Sequence, residues 1–151
     1  MNDCKLTEGE GRCDLLPILT IADILDEDDT IFDVTMLKKI LCEIAVCLDE
    51  SNNNTLRYNS ASAAIKTYAS MTCHSIFELI LDVSFYYEEE AKKHSEQNWE
   101  KGLLPRYFLD SAIRHLFKRL DDRSDEDHGG AFVWNMFGFM LALRKEETKD
   151  E

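Results

Sequence analysis

The 151 residues carry a net charge of −13, with 44% hydrophobic and 31% charged side chains, the make-up of one soluble domain that can bury roughly two-thirds of its unfolded surface. The acidic balance argues against nucleic acid as a partner and against an electrostatic hold on anionic lipid, both of which require a basic footprint. Only 2 prolines and 6 glycines punctuate the chain, which leaves room for long helices.

Residues 1–13 are small, polar and charged and are expected to form a flexible N-terminus. They contain no apolar run of the kind that makes a secretion signal, so the five cysteines are read as reduced thiols in a cytoplasmic setting. Leu15, Leu16, Ile18, Leu19, Ile21, Ile24 and Leu25 around Pro17 predict a first helix at about 15–26, with Pro17 suited to its first turn. The acidic Asp26-Glu-Asp-Asp29 ends it. Val34, Leu37, Leu41, Ile44 and Leu48 recur at helical steps, so a second helix is expected over about 31–49, capped by Thr30 or Asp33. Ser51 to Asn54 reads as a loop, and Asn59 or Ser60 opens the next helical stretch. There Ile65, Tyr68, Thr72, Ile76, Leu79, Val83 and Tyr86 keep helical spacing. A break is expected between Ser70 and Ser75, where Ser and Thr can bond back to the backbone, giving helices at about 59–73 and 74–92. Ile76 to Tyr87 is the candidate central helix, closed by Lys92 and Lys93 as the helix dipole favours.

A linker at 94–102 contains Trp99. Leu104-Pro105 opens a helix to 120 that turns Phe108, Leu109, Ala112, Ile113 and Leu116 inward. A charged segment, Asp121 to Asp127, follows. Gly129-Gly130 is read as a sharp reversal, and Ala131 to Leu143, the most apolar run, as a last helix at about 130–144. That run is too short to span a bilayer. Residues 146–151 form an acidic tail. No alternating strand pattern occurs, so the expectation is one all-α domain over 14–145 without a transmembrane tail.

No motif in the sequence carries a recognisable chemistry. Gly129-Gly130 lacks the Lys-Ser/Thr that completes a phosphate loop. Cys73-His74, and Cys42 with Cys47, lack the spacing that brings two ligands to one ion, so no metal and no cofactor is expected and the cysteines are read as small core residues. A Cys–His nucleophilic pair with His74, His94, His115 or His128 has no local signature. Glu78/Asp82, Glu88 to Glu90 and Asp121-Asp122 read as solvated carboxylates rather than acid–base pairs. No catalytic residue emerges, and the protein is not expected to be an enzyme. Its abundant apolar residues are read in two ways, as plain core packing or as a bundle with a groove that accepts an amphipathic partner helix.

The stretch from Leu109 to Gly138 resembles the C-terminal part of the Bcl-2 family of apoptosis regulators. Asp125-Glu-Asp-His-Gly-Gly130 stands where that family has a polar run ending in Gly-Gly. Phe132-Val133 and Phe137-Gly138 stand at its aromatic–aliphatic pair and its aromatic-Gly. Ala131 replaces the family's Trp, and Trp134 follows three positions later. A second register competes, in which Ala112 to Arg119 starts the family's first homology motif and Gly129 to Leu143 is the central helix. The motif residues taken from the first register are Gly129, Gly130, Phe132, Trp134 and Gly138. The divergence is similar to that of virus-encoded homologues.

The resemblance implies a Bcl-2-like helical bundle that inhibits apoptosis by sequestering pro-apoptotic BH3 helices. It implies a groove lined by Ile40, Leu41, Ile44, Ile65, Tyr68, Met71, His74 and Phe77. It also implies host–virus interaction, a host-cytoplasmic location, and peripheral contact with mitochondria through partners. A homodimer is compatible with this reading; nucleic acid and an integral membrane segment are not expected. The alternative is a helical adaptor, or a Bcl-2-like protein without a BH3 groove, acting on signalling partners through a surface or dimer face.

Overall fold

The computed structural model describes Gly9 and residues 11–28, 30–31, 33–93 and 104–149. Among them are a 3-10 turn at Cys13–Leu15 and six helices: α1 (Ile18–Asp26), α2 (Val34–Leu48), α3 (Asn54–Met71), α4 (Ile76–Lys93), α5 (Pro105–Leu120) and α6 (His128–Lys149). No described residue lies in a strand, and no described helix is long and apolar enough to cross a membrane. The all-α expectation therefore holds. Most of the expected flexible segment 1–13, the linker at 94–102 with its Trp99, and the end of the tail at 146–151 lie outside the described residues. The chain divides into two compact units, Leu16–Glu78 on the one hand and Met1–Leu15 with Leu79–Glu151 on the other.

In the Leu16–Glu78 unit, α1 packs on α2 and α2 on α3. Helix α2 starts at Asp33, whose carboxylate accepts a hydrogen bond from the Met36 N–H at 3.4 Å, and it buries Leu37, Ile40, Leu41, Ile44 and Cys47 at helical spacing. Helix α3 starts earlier than its apolar pattern suggests, because Asn53 caps it: the Leu56 N–H donates to Asn53 Oδ1 at 2.8 Å. The run of asparagines is thus a helix start as well as a loop. Buried Arg57 fastens the two helices, its Nε donating to the Cys47 carbonyl at 2.8 Å, one of the carbonyls that the end of α2 leaves without a helical partner. Burial pushes the Cys47 thiol up to about 12, so this cysteine is a core residue and not a nucleophile.

The expected break is present between α3 and α4. Thr72 Oγ1 donates back to the Tyr68 carbonyl at 2.9 Å and lies 3.2 Å from that of Ala69. Cys73 takes a left-handed φ of 60°. Ser75 and Glu78 then cap α4 reciprocally: the Glu78 N–H donates to Ser75 Oγ at 3.1 Å and the Ser75 N–H to Glu78 Oε1 at 3.4 Å.

The second unit is built on α5 against α6. The reversal between them falls at Asp121 to Asp127, with Asp122 at a φ of 54°, and not at the glycine pair. Gly129 and Gly130 lie inside the first turn of α6. Helix α5 buries Phe108, Leu109, Ala112, Ile113 and Leu116; α6 buries Phe132, Val133, Met136, Phe139 and Leu143. Complete burial of each such side chain contributes about 1.5–3 kcal/mol. Gly138 permits the close approach of the two helices, since a Cβ there would run into the ring of Phe108. Trp134 sits among Tyr86, Tyr87 and Phe108, with ring centroids 5.5, 6.0 and 6.3 Å away. It is an aromatic anchor within this unit.

The 3-10 turn docks on α5 through Asp14, which is 3% exposed. Arg12 binds it through two bonds of 2.8 Å, Arg106 Nε donates at 2.6 Å, and the Asp14 N–H donates to Asp110 Oδ1 at 3.2 Å. Arg114 completes the network, donating to Asp110 Oδ2 at 2.9 Å and to the Gly11 carbonyl at 2.6 Å. Burial pushes the Asp14 carboxyl up, but the Arg12 and Arg106 hydrogen bonds and charges outweigh it and hold it below the usual range. A carboxyl with a depressed folded pKa contributes stability above its unfolded value of about 3.9, and loses it as pH falls through the lower folded value. The stability gap between the wild type and Asp14→Asn is therefore expected to be full at pH 6–7 and to shrink below about pH 4. Urea titrations across that range check it, and a gap that stays constant with pH would refute it.

Candidate functional site

The short connection makes α5 and α6 antiparallel neighbours, so the end of α5 meets the start of α6. There His115 and His128 face one another, their Nδ1 atoms 2.9 Å apart. Glu126 Oε1, from the connecting segment, lies 3.3 Å from His115 Nδ1 and 3.4 Å from His128 Nδ1. Three donor atoms thus converge on one point. His128 Nε2 is engaged on its far side by Asp125 Oδ1 at 2.7 Å. With its proton on Nε2, directed to that carboxylate, His128 turns its Nδ1 lone pair into the cluster.

The backbone is held equally firmly. The Gly130 N–H donates to Asp127 Oδ1 at 2.9 Å, and Asp127 thereby caps α6. A Cβ on Gly130 would press on that carboxylate as it stands. His128 has no exposed side-chain surface, whereas 52% of Glu126 and 69% of Asp125 side-chain surface is exposed. The cluster is therefore closed on the helix side and open towards the acidic segment.

Burial disfavours the charged form of His115 and lowers its pKa, against the opposing pull of Glu126; His128, Lys118 and Arg114 reinforce the lowering. The hydrogen bond from His128 holds the Asp125 carboxyl below its usual range. Lys118 acts electrostatically on both His115 and Asp125. The site thus combines imidazole and carboxylate donors with a nearby cation.

The residues singled out from the sequence are distributed differently. Ile40, Leu41 and Ile44 are fully buried on α2, and Ile65, Tyr68 and Met71 are buried on α3. His74, exposed, bonds through Nδ1 to Thr72 Oγ1 at 3.0 Å, and Phe77 is 75% exposed. Gly129, Gly130, Phe132, Trp134 and Gly138 all belong to α6, where they serve its first turn and its packing. In the sequence, His115 and His128 stand out chemically only as possible partners of a cysteine, and Glu126 only as part of a polar run. The sequence signal for the trio is weak, because its two histidines are far apart in the chain and only the helix reversal unites them.

A protein-family model described as dATP/dGTP diphosphohydrolase, N-terminal, matches residues 58–151, a span that includes most of α3 and all of α4, α5 and α6. Among curated proteins and among solved structures, nothing matches. The family match overturns the resemblance to the Bcl-2 family, and with it the virus-encoded homologue, the inhibition of apoptosis and the BH3-binding groove. The adaptor alternative gains no support. The expectation of a protein without a chemical step is also corrected, because the matched family is one of enzymes. Of the residues that suggested Bcl-2, Gly138 owes its place to helix packing, since it admits Phe108.

Proposed function

The chain belongs to the dATP/dGTP diphosphohydrolase N-terminal family, whose model matches more than half of it, and we propose on that basis that it hydrolyses dATP and dGTP at the His115–Glu126–His128 cluster. The observation that carries the proposal is a coincidence of position. The matched span 58–151 contains all three residues, and they form a group of histidine and acidic side chains with donor atoms drawn together.

The name diphosphohydrolase describes a reaction that uses one water. Its oxygen bonds to the α-phosphorus, and the bond from that phosphorus to the α–β bridging oxygen breaks. The products are the deoxynucleoside monophosphate and diphosphate, with the proton passing to solvent. Such a reaction asks a protein mainly to position the phosphates and offset their charge. A chain of net charge −13 repels a polyphosphate at long range, so attraction must be local. Lys118, half-buried beside His115 and Asp125, provides one local cation.

The test is to incubate the full chain with each of the four deoxynucleoside triphosphates and a divalent-ion mixture, then separate the products by anion exchange. dATP and dGTP are expected to yield the monophosphate and diphosphate, with the pyrimidine nucleotides turned over at least tenfold more slowly. No monophosphate from either purine nucleotide, or release of inorganic phosphate in place of diphosphate, would overturn the proposal.

A further inference from the structure

We propose that His115, Glu126 and His128 hold one divalent ion of the manganese-to-zinc series, with Asp125 as the carboxylate that fixes the ring of His128. The separations are the first argument. The two Nδ1 atoms lie 2.9 Å apart and the Glu126 oxygen lies 3.3 and 3.4 Å from them. Bonds of about 2.0–2.2 Å from a common centre put neighbouring donors about 2.9–3.4 Å apart, the lower figure in octahedral and the upper in tetrahedral geometry. All three separations fall in that window.

The second argument is the far side of His128. A histidine that binds a metal through one ring nitrogen characteristically donates through the other to a carboxylate, which fixes its tautomer and orientation. Asp125 Oδ1 at 2.7 Å from Nε2 supplies that partner. The third is access. His128 is buried, while Glu126 has 52% of its side chain exposed, so an ion here would keep positions open to water or a phosphate oxygen, as catalytic ions do and structural ones do not. Without an ion, a single proton on His115 Nδ1 would bridge the two rings; an ion takes its place, and the His115 ring keeps its one proton on Nε2.

Donor chemistry decides the class of ion. Magnesium and calcium select oxygen ligands, whereas two imidazoles and one carboxylate suit manganese, iron, cobalt, nickel or zinc. The inference rests on the hydrolase reading for its purpose, since a bound cation would offset phosphate charge, but it can be tested without activity.

The experiment uses the full chain after chelator treatment. Mn²⁺ binding is followed by electron paramagnetic resonance and Co²⁺ binding by visible absorption. One ion per chain is expected, with excess Mg²⁺ failing to displace it. Asp125→Asn is expected to weaken binding 10–100-fold and Glu126→Gln at least tenfold; both side chains are more than half exposed, and circular dichroism checks that the helices persist. Absence of Mn²⁺ and Co²⁺ binding, or binding unchanged in Glu126→Gln and in His115→Ala, would overturn the site. Displacement by Mg²⁺ would overturn the class of ion. Ion binding without nucleotide hydrolysis would keep the site and remove the hydrolase reading; hydrolysis without ion binding would do the reverse.

Discussion

His128→Ala is expected to lower turnover of dATP and dGTP by at least about 100-fold, the scale on which a group engaged at the reacting centre acts. The residue joins three elements of the cluster at once. Its Nδ1 faces His115 at 2.9 Å, its Nε2 meets Asp125 at 2.7 Å, and its backbone begins α6. Removing the ring withdraws a donor from the cluster and leaves Asp125 without the hydrogen bond that holds its carboxyl low. The ring is also buried, so its loss opens a void and costs stability, about 2–5 kcal/mol by analogy with other large-to-small changes. The two effects separate in the kinetics. A fold defect reduces the concentration of active protein and leaves KM alone, whereas removal of an interaction made in the transition state lowers kcat per folded molecule. Turnover normalised to the folded fraction, measured from thermal melts of each sample, is the deciding quantity. Asp125→Asn keeps the ring and loses only its orientation, so a smaller loss of kcat is expected. A folded His128→Ala protein with turnover within about threefold of the wild type would place the chemistry elsewhere.

Much of the architecture is visible in the residue pattern because helices announce themselves locally. The face made by Leu37, Leu41 and Ile44 and the break at Thr72 follow from spacing and side-chain chemistry within a turn or two. What periodicity does not reveal is what a face meets. Ile40, Leu41, Ile44, Ile65 and Tyr68 look alike whether they line an open groove or fill a core, and in this protein they are buried. Glycine is ambiguous in the same way. Gly129-Gly130 suggests a reversal, yet both residues lie in the first turn of α6. The spacing of aromatic residues and glycine along α6 that suggested Bcl-2 is set by rings packed against it, those of Tyr86, Tyr87 and Phe108 around Trp134. The His115–Glu126–His128 group is not legible in the sequence for a different reason: no spacing rule links residues that meet only after two helices have packed antiparallel.

That dependence on packing yields the second large effect, at Gly138. A Cβ there would collide with the Phe108 ring, and both residues lie at the α5–α6 interface. Alanine would gain up to about 1 kcal/mol of helix propensity over glycine, but overpacking a tight contact costs about 1–3 kcal/mol. Gly138→Ala is therefore expected to be destabilised by up to about 2 kcal/mol, and Gly138→Val, which adds bulk at the same point, by about 3 kcal/mol. The collision has a consequence further along the helix. Gly138 lies roughly 15 Å along α6 from His128, and a helix lifted away from Phe108 pivots about its packed end. The 2.9 Å approach of the two imidazoles has little tolerance for such a movement, since misplacement by about 1 Å can cost on the order of 100-fold in rate. Gly138→Ala is thus expected to lose more activity, per folded molecule, than a surface alanine substitution of equal stability. Trimming the obstacle provides the control. In a Phe108→Ala background the added methyl meets no ring, so the stability penalty of Gly138→Ala is expected to fall by at least 1 kcal/mol in a double-mutant cycle, with part of the per-molecule activity returning. Additive stability changes and no return of activity would show that the helix spacing does not set the geometry of the histidine pair.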